Sequence, residues 1–169
     1  DNIQIMSNNL LKGKRGIIFG ALNDMSIAWK VAERAQEEGA TFTLTNAPIA
    51  MRMGAINDLA EKTNSEVIPA DATSVEDLKH LFEKSQEILG GKVDFVLHSI
   101  GMSPNVRKKK QYTGLNYEWY KQTLDVSAMS LHKTLQVAYD MDALNNWGSV
   151  LALTYILSLI HISEPTRRA

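Results

Sequence analysis

The chain has 169 residues, a formal net charge of −1 and no cysteine, with 44% hydrophobic and 22% charged residues. This length suffices for one domain with a buried core, and the composition is that of an ordinary soluble globular protein. The small net charge gives no reason to expect nucleic acid or a membrane surface as a partner, and the lack of cysteine excludes disulfides and thiolate metal sites.

The N-terminal segment, DNIQIMSNN, has neither the cationic region nor the apolar region of a signal peptide. No apolar run approaches the roughly 20 residues that cross a bilayer, so a cytoplasmic protein is expected. Two interpretations of residues 1–9 stay open. Residues 1–5 are a translated leader before a natural start at Met6, or the segment is an ordinary disordered tail.

The first predicted elements are a strand, a tight turn and a helix. The apolar run Gly16–Phe19 ends at Gly20, and a helix is expected from about Ser26 to Glu38, with Gly39 ending it. Its predicted buried stripe has helical spacing and consists of Ile27, Ala28, Val31, Ala32 and Ala35. A strand that leads into a helix through a glycine is a place where dinucleotide phosphates bind, because N–H groups and the helix dipole point at the anion.

Strands and helices alternate along the rest of the chain. The further predicted strands are Thr41–Thr45, Glu66–Pro69, Val93–His98 and Ser149–Leu153. The predicted helices are Ala50–Lys62, a helix from the capping box at Ser74–Asp77 to Leu89, and a long one over Tyr117–Met141. This order predicts one α/β domain with a doubly wound parallel sheet, the Rossmann fold.

Ligands of such sheets bind beyond the carboxyl ends of the strands. Those ends carry Gly20, Asn46, Asp71 and the segment Ser99–Gly101. An aspartate after the third strand can accept a hydrogen bond from an adenine amino group, and a glycine after the fourth lets backbone approach a ribose. The common G-x-G-x-x-G pattern is matched only by Gly20, so a simple left-handed turn glycine is the alternative interpretation.

Four segments carry a family resemblance: residues 10–40, 69–78, 94–104 and 148–155. With its Ser26-Ile27-Ala28 turn and the sequence HSIG at 98–101, the chain resembles the NADH-dependent enoyl-acyl-carrier-protein reductases of the short-chain dehydrogenase/reductase superfamily. The resemblance spans about Leu10 to Tyr155.

The resemblance implies site residues, grouped here by the part of the ligand they would meet. They are Gly20, Ser26 and Ile27 at the pyrophosphate, Asp71 and Ala72 at adenine, Ser99, Ile100 and Gly101 at the nicotinamide ribose, and Ser103 at the acyl thioester. NADH is favoured over NADPH because no arginine or lysine directly follows Asn46-Ala47, the nearest being Arg52. No metal is expected.

The implied activity is reduction of the trans-2 double bond of an enoyl thioester on acyl carrier protein, in bacterial fatty-acid elongation. Tyr155 matches one of two family tyrosines, but the donor tyrosine and the lysine that should follow it do not appear. Residues 157–169 instead resemble a translated sequencing adapter, so the domain is expected over 10–156 and this chain is expected to be inactive. A non-catalytic nucleotide-binding module, or a short-chain reductase acting on a ketone, is the alternative.

Three further features have less specific interpretations. The basic run Arg107–Lys110 is either a contact for the acidic carrier protein or a solvated loop. The long fourth helix is apolar on more than one face, as either a core helix or the interface of a homotetramer would be. His98 ends a buried strand and is predicted to be a structural histidine.

Overall fold

The fold is built on a twisted parallel sheet, seen in a computed structural model that describes residues 7–51 and 55–154. Within these residues the strands are β1 (Arg15–Phe19), β2 (Thr41–Thr45), β3 (Glu66–Val67), β4 (Val93–His98) and β5 (Leu144–Ala152). All neighbours pair in parallel, in the order β3-β2-β1-β4-β5. The chain therefore winds outward from β1 in both directions, which confirms the doubly wound fold and puts the switch point between β1 and β4.

Helices connect the strands on both faces of the sheet. They are α1 (Ile27–Glu37), α2 (Pro48–Met51), α3 (Ala55–Thr63), α4 (Val75–Leu89), α5 (Pro104–Arg107), α6 (Tyr117–Leu124) and α7 (Ser130–Asp140). A 3₁₀ turn covers Tyr112–Gly114, and a π-helical turn, Asp125–Met129, joins α6 to α7. Among the described residues, none of these helices is long and apolar enough to cross a membrane.

The central strand β1 divides the core into two layers. Ile17 and Phe19 face α4 and α7, whereas Ile18 faces α1 and α3, and all three side chains are at most 1% exposed. Successive side chains of a strand point to opposite faces, so a continuous apolar run is what a strand covered on both sides requires. The sheet is thereby fixed from both faces, and its carboxyl edge is held in place.

The structure corrects the predicted buried stripe of α1. Ile27 is 61% exposed, and the buried residues are Ala28, Trp29, Ala32 and Ala35. Ile27 is the first residue of the helix, where the chain is still leaving the turn after β1, so helical periodicity does not decide its environment. It lies instead beside the carboxyl edge of the sheet.

Four other predictions were wrong in their boundaries or continuity. The helix predicted over Ala50–Lys62 is represented by α2 and α3, and residues 52–54 lie outside the described part of the chain. The third strand is shorter than predicted. The fifth begins five residues earlier, at Leu144, which pairs with Val93 ahead of a register shift in β4. The long helix predicted over Tyr117–Met141 is interrupted by the π-helical turn, which separates α6 from α7.

Candidate functional site

A small cleft, open to solvent, lies at the carboxyl edge of the sheet. Residues at the ends of β1, β2, β3 and β4, together with one from the π-helical turn, line it: Phe19, Gly20, Asn46, Ala47, Ala70, Asp71, Ala72, Thr73, Ile100 and Val126. Four predicted site residues meet there, namely Gly20, Asp71, Ala72 and Ile100. Ser26, Ile27, Ser99 and Gly101 belong to the segments that border it, and Tyr155 lies outside the described residues.

Gly20 brings the ends of the central strands together. Its φ is +85°, and an added Cβ would lie 1.8 Å from the carbonyl oxygen of Ser99. Its N–H donates to the carbonyl of Thr45 at 3.1 Å. Only glycine allows this combination of left-handed backbone and close approach. The alternative interpretation, a turn glycine, is therefore true of its backbone, but the same residue also forms the floor of the cleft.

The N-terminus of α1 is left open by its own capping residue. Ser26 occupies the N-cap position but makes no side-chain cap hydrogen bond. Its Oγ donates to the carbonyl of Asn23 at 2.6 Å and accepts from the N–H of Leu22 at 3.3 Å. The first N–H groups of a helix have no partner within the helix, and they carry the positive end of its dipole. This terminus therefore presents N–H groups to an anion.

Two other N-cap residues, Ser74 and Asn116, make the side-chain cap hydrogen bond that Ser26 lacks. Ser74 accepts a hydrogen bond from the N–H of Asp77 at 3.2 Å, and Asn116 accepts one from Trp119 at 3.0 Å. These serine and asparagine side chains satisfy the first N–H groups of their helices, as usual. The local loop after β1, rather than residue type, keeps Ser26 from capping α1.

The loop after β3 forms the second wall of the cleft. Asp71 accepts two hydrogen bonds at Oδ1, from the N–H of Thr73 at 2.9 Å and from its hydroxyl at 2.7 Å. The N–H of Asp71 donates to Oδ2 of Asp77 at 2.9 Å. Asp71 is exposed, Ala72 is 7% exposed, and the described hydrogen bonds leave Oδ2 of Asp71 free. The capping box was thus correctly placed, but Asp77 reaches back to Asp71.

The segment after β4 forms the third side. The carbonyl of Ser99 touches Gly20, and Ile100 lines the cleft. An added Cβ on Gly101 would meet no atom within 4 Å, so this glycine faces open space. Ser103 is the N-cap of α5, where its Oγ accepts from the N–H of Val106 at 3.4 Å. Ser103 is not among the residues that line the cleft.

His98 lies beneath this segment as a structural residue. It is 2% exposed, its Nε2 lies 2.7 Å from Oγ of Ser130, and its ring packs against Phe19 with centroids 6.2 Å apart. Burial lowers the pKa of the imidazole, because the charged form loses its solvation. The prediction of a structural histidine agrees with this environment. No group of three metal-ligating His, Asp or Glu side chains occurs in the described part of the chain.

Five residues that line the cleft were not predicted as site residues from the sequence: Phe19, Ala47, Ala70, Thr73 and Val126. Thr73 directly follows the predicted pair Asp71-Ala72, so its position in the sequence could have indicated that it lies at the site. Ala47 was used only to judge cofactor choice. Val126 had no signal, because it comes from the long helix and reaches the cleft through the π-helical turn.

Comparison with known proteins places this geometry in a family. The family model described as enoyl-(acyl carrier protein) reductase matches residues 20–166. The NADH enoyl-(acyl-carrier-protein) reductase FabI of Rickettsia conorii is 31% identical over 154 residues, which is 89% of this chain and 56% of that protein. The chain thus spans little more than half the length of the curated relatives it matches.

Solved structures of the same family are similar to this chain in fold and sequence. A crystal structure of FabI from Alistipes finegoldii has a TM-score of 0.86 and 63% identity, covering 89% of this chain and 57% of the other. A crystal structure of the FabI–NADH complex from the same organism has a TM-score of 0.87 at 63% identity, covering 89% and 53%. With a family model matching most of its length, the chain belongs to the enoyl-(acyl carrier protein) reductase family.

Proposed function

We propose that the cleft binds NADH and that the whole protein is an enoyl-acyl-carrier-protein reductase. The observation that carries the proposal is the meeting of Gly20 and the Asp71-Ala72 wall at the carboxyl ends of the strands, with the open N-terminus of α1 following Gly20 in the chain. A helix N-terminus that can bind an anion, in a sheet whose ligands bind at the carboxyl ends of the strands, suits a dinucleotide. The FabI–NADH complex named above, at 63% identity, supports the same assignment.

The residues present fit three parts of the cofactor. The N–H groups that begin α1, at Ile27 and Ala28, would hold the pyrophosphate, since Ser26 does not occupy them. The free Oδ2 of Asp71 would accept from the adenine amino group, and Ala72 would pack against the ring. Beyond β4, the segment Ser99–Gly101 would border the nicotinamide ribose.

Discrimination between NADH and NADPH would depend on the end of β2. Asn46 uses its side chain locally: Nδ2 donates to the carbonyl of Ala21 at 3.4 Å, and Oδ1 accepts from the N–H of Ala47 at 2.9 Å. No lysine or arginine is among the residues lining the cleft in the described part of the chain. A 2′-phosphate would enter without a cation to neutralise it, so NADH is favoured. Arg52 lies outside the described residues.

The proposed reaction is reduction of the trans-2 double bond of an enoyl thioester carried on acyl carrier protein. The cofactor supplies the hydride. The chain's own contribution would be to bind and orient it at the carboxyl edge of the sheet, where the space beside Gly101 is open. Ser103 near the thioester and Tyr155 in the catalytic group remain predictions.

We also propose that the intact protein is a homotetramer assembled through the long helix. Leu124 and Met129 there are 48% and 50% exposed, which is consistent with apolar surface kept for a partner subunit. A cytoplasmic location stays a prediction. The alternative is a nucleotide-binding module without catalysis, which would bind NADH through the same cleft.

Calorimetric titration of the 169-residue chain tests cofactor binding. We expect NADH to bind at least tenfold more tightly than NADPH, and Asp71→Ala to weaken NADH about tenfold, the value of one hydrogen bond of about 1.4 kcal/mol. Asp58→Ala is the matched control, because Asp58 is an exposed carboxylate on α3, away from the cleft. Equal NADH affinity of the two variants, or no binding by the unsubstituted chain, would contradict the proposal.

A further inference from the structure

The π-helical turn Asp125–Met129 stands between the two loops that flank the cleft. It interrupts one long helix, with α6 before it and α7 after it. Its second residue, Val126, lines the cleft. A π-helical turn inserts a residue into a helix, costs regular hydrogen bonding and is frequent at functional sites. The hydrogen bonds that this turn makes to neighbouring loops therefore indicate what it contributes to the cleft.

Lys133 connects this turn to the Asp71–Thr73 wall. Its Nζ donates to the carbonyl oxygen of Thr73 at 3.0 Å and to Oδ1 of Asp125 at 2.8 Å. The lysine side chain is 27% exposed, against 45% for that of Asp125. The ammonium group is thus held at one end by the π-helical turn, and it fixes a backbone carbonyl 60 residues away in the sequence.

Ser127 connects the same turn to the segment after β4. Its Oγ accepts from the N–H of Met102 at 3.0 Å and donates to the carbonyl of Met102 at 3.2 Å. One hydroxyl therefore satisfies both backbone polar groups of a residue that directly follows Gly101. Asp125 and Ser127 flank Val126, so the two connections leave the turn on either side of the residue that lines the cleft.

We propose that the π-helical turn is the device that sets the width of the cleft, with Lys133 and Ser127 as positioning residues for the cofactor. Lys133 holds the wall expected to meet adenine, and Ser127 holds the segment expected to meet the nicotinamide ribose. The inference rests on the proposed function, because it assigns these roles toward NADH.

A solvent-exposed ion pair within one helix would not position the cleft wall. Exposed lysine–carboxylate pairs contribute little to stability. Lys121 and Glu118 form one at 2.8 Å on α6, with side chains 72% and 78% exposed. Lys133 differs because its second partner, besides Asp125, is a backbone carbonyl of the cleft wall. Lys121→Met is therefore the matched control for Lys133→Met.

The test uses the 169-residue chain and two measurements. Amide hydrogen exchange at Thr73 and Ser74, without cofactor, reports whether Lys133 orders the wall. Titration with NADH and with 5′-AMP, which carries only the adenine half, reports the consequence for binding. We expect Lys133→Met to speed exchange about tenfold and to weaken both ligands about tenfold. Lys133→Arg retains most of both properties, and Lys121→Met changes neither.

Ser127→Ala should show the complementary pattern, weakening NADH several-fold while 5′-AMP binds as before. The proposal is overturned if Lys133→Met matches Lys121→Met in both measurements, or if exchange accelerates while the affinity for NADH stays the same. It is also overturned if Ser127→Ala weakens the two ligands equally. Failure of the unsubstituted chain to bind NADH would instead remove the proposed function, while exchange still tests the Lys133 contact by itself.

Discussion

Replacing Gly20 by alanine should both destabilise the fold and weaken cofactor binding. The left-handed φ of +85° costs a residue with a side chain about 1–2 kcal/mol. The new Cβ would also lie 1.8 Å from the carbonyl oxygen of Ser99, which is backbone and cannot rotate away. Relief requires β1 and β4 to separate at their carboxyl ends, and overpacking of this kind costs about 1–3 kcal/mol. The free energy of unfolding should therefore fall by about 2–5 kcal/mol.

Gly90→Ala separates the two contributions. Gly90 caps α4 with φ +76°, and an added Cβ there would meet nothing within 4 Å. It should cost only about 1–2 kcal/mol and leave NADH affinity unchanged. Urea unfolding, followed by circular dichroism, measures both variants. If Gly20→Ala loses no more stability than Gly90→Ala, the close approach of Gly20 to Ser99 is not a constraint, and the reasoning about the floor of the cleft is refuted.

Two further predictions concern capping and pH. Ser74→Ala should cost about 1 kcal/mol in urea unfolding because its Oγ caps α4; an unchanged urea midpoint would contradict that role. Burial lowers the pKa of His98 in the folded chain below its ordinary value of 6.5. The unfolded chain therefore binds the proton more readily, so stability should be full above pH 6.5 and fall as the pH drops below it. His98→Asn should flatten that dependence, and an unchanged slope in urea midpoints between pH 7 and 5 would contradict the assignment.

The elements that the sequence predicted well are those with local signals. Strands Thr41–Thr45 and Val93–His98 match their predicted bounds, because each is a β-rich run closed by turn residues. The helix after Ser74 begins and ends where its capping serine and Gly90 place it. The alternation of these strands and helices predicts the doubly wound sheet. The sheet in turn predicts that the ligand site lies at the carboxyl ends of its strands.

The features that escaped prediction depend on contacts distant in sequence. The start of β5 holds Asn145, a poor strand former, whose Nδ2 donates to Oδ1 of Asp94 at 3.1 Å in the neighbouring strand. The π-helical turn keeps a helical pattern of side chains, so periodicity predicts one continuous helix. Its Ser127 and Asp125 acquire their roles only from partners at Met102 and Lys133. The contribution of the π-helical turn to the cleft, through Val126, was therefore not predictable from the sequence.

The most direct test of the account is to record backbone amide chemical shifts of the isotope-labelled chain while NADH is added. The account predicts shifts at the carboxyl edge of the sheet, above all at Gly20, Ile27, Asp71, Ala72 and Ile100. It predicts none at the groove formed by α7 and β5, which Leu135 and Tyr139 line at a separate place on the surface. Shifts confined to that groove, or none at millimolar NADH, would contradict the assignment of the cleft as the cofactor site.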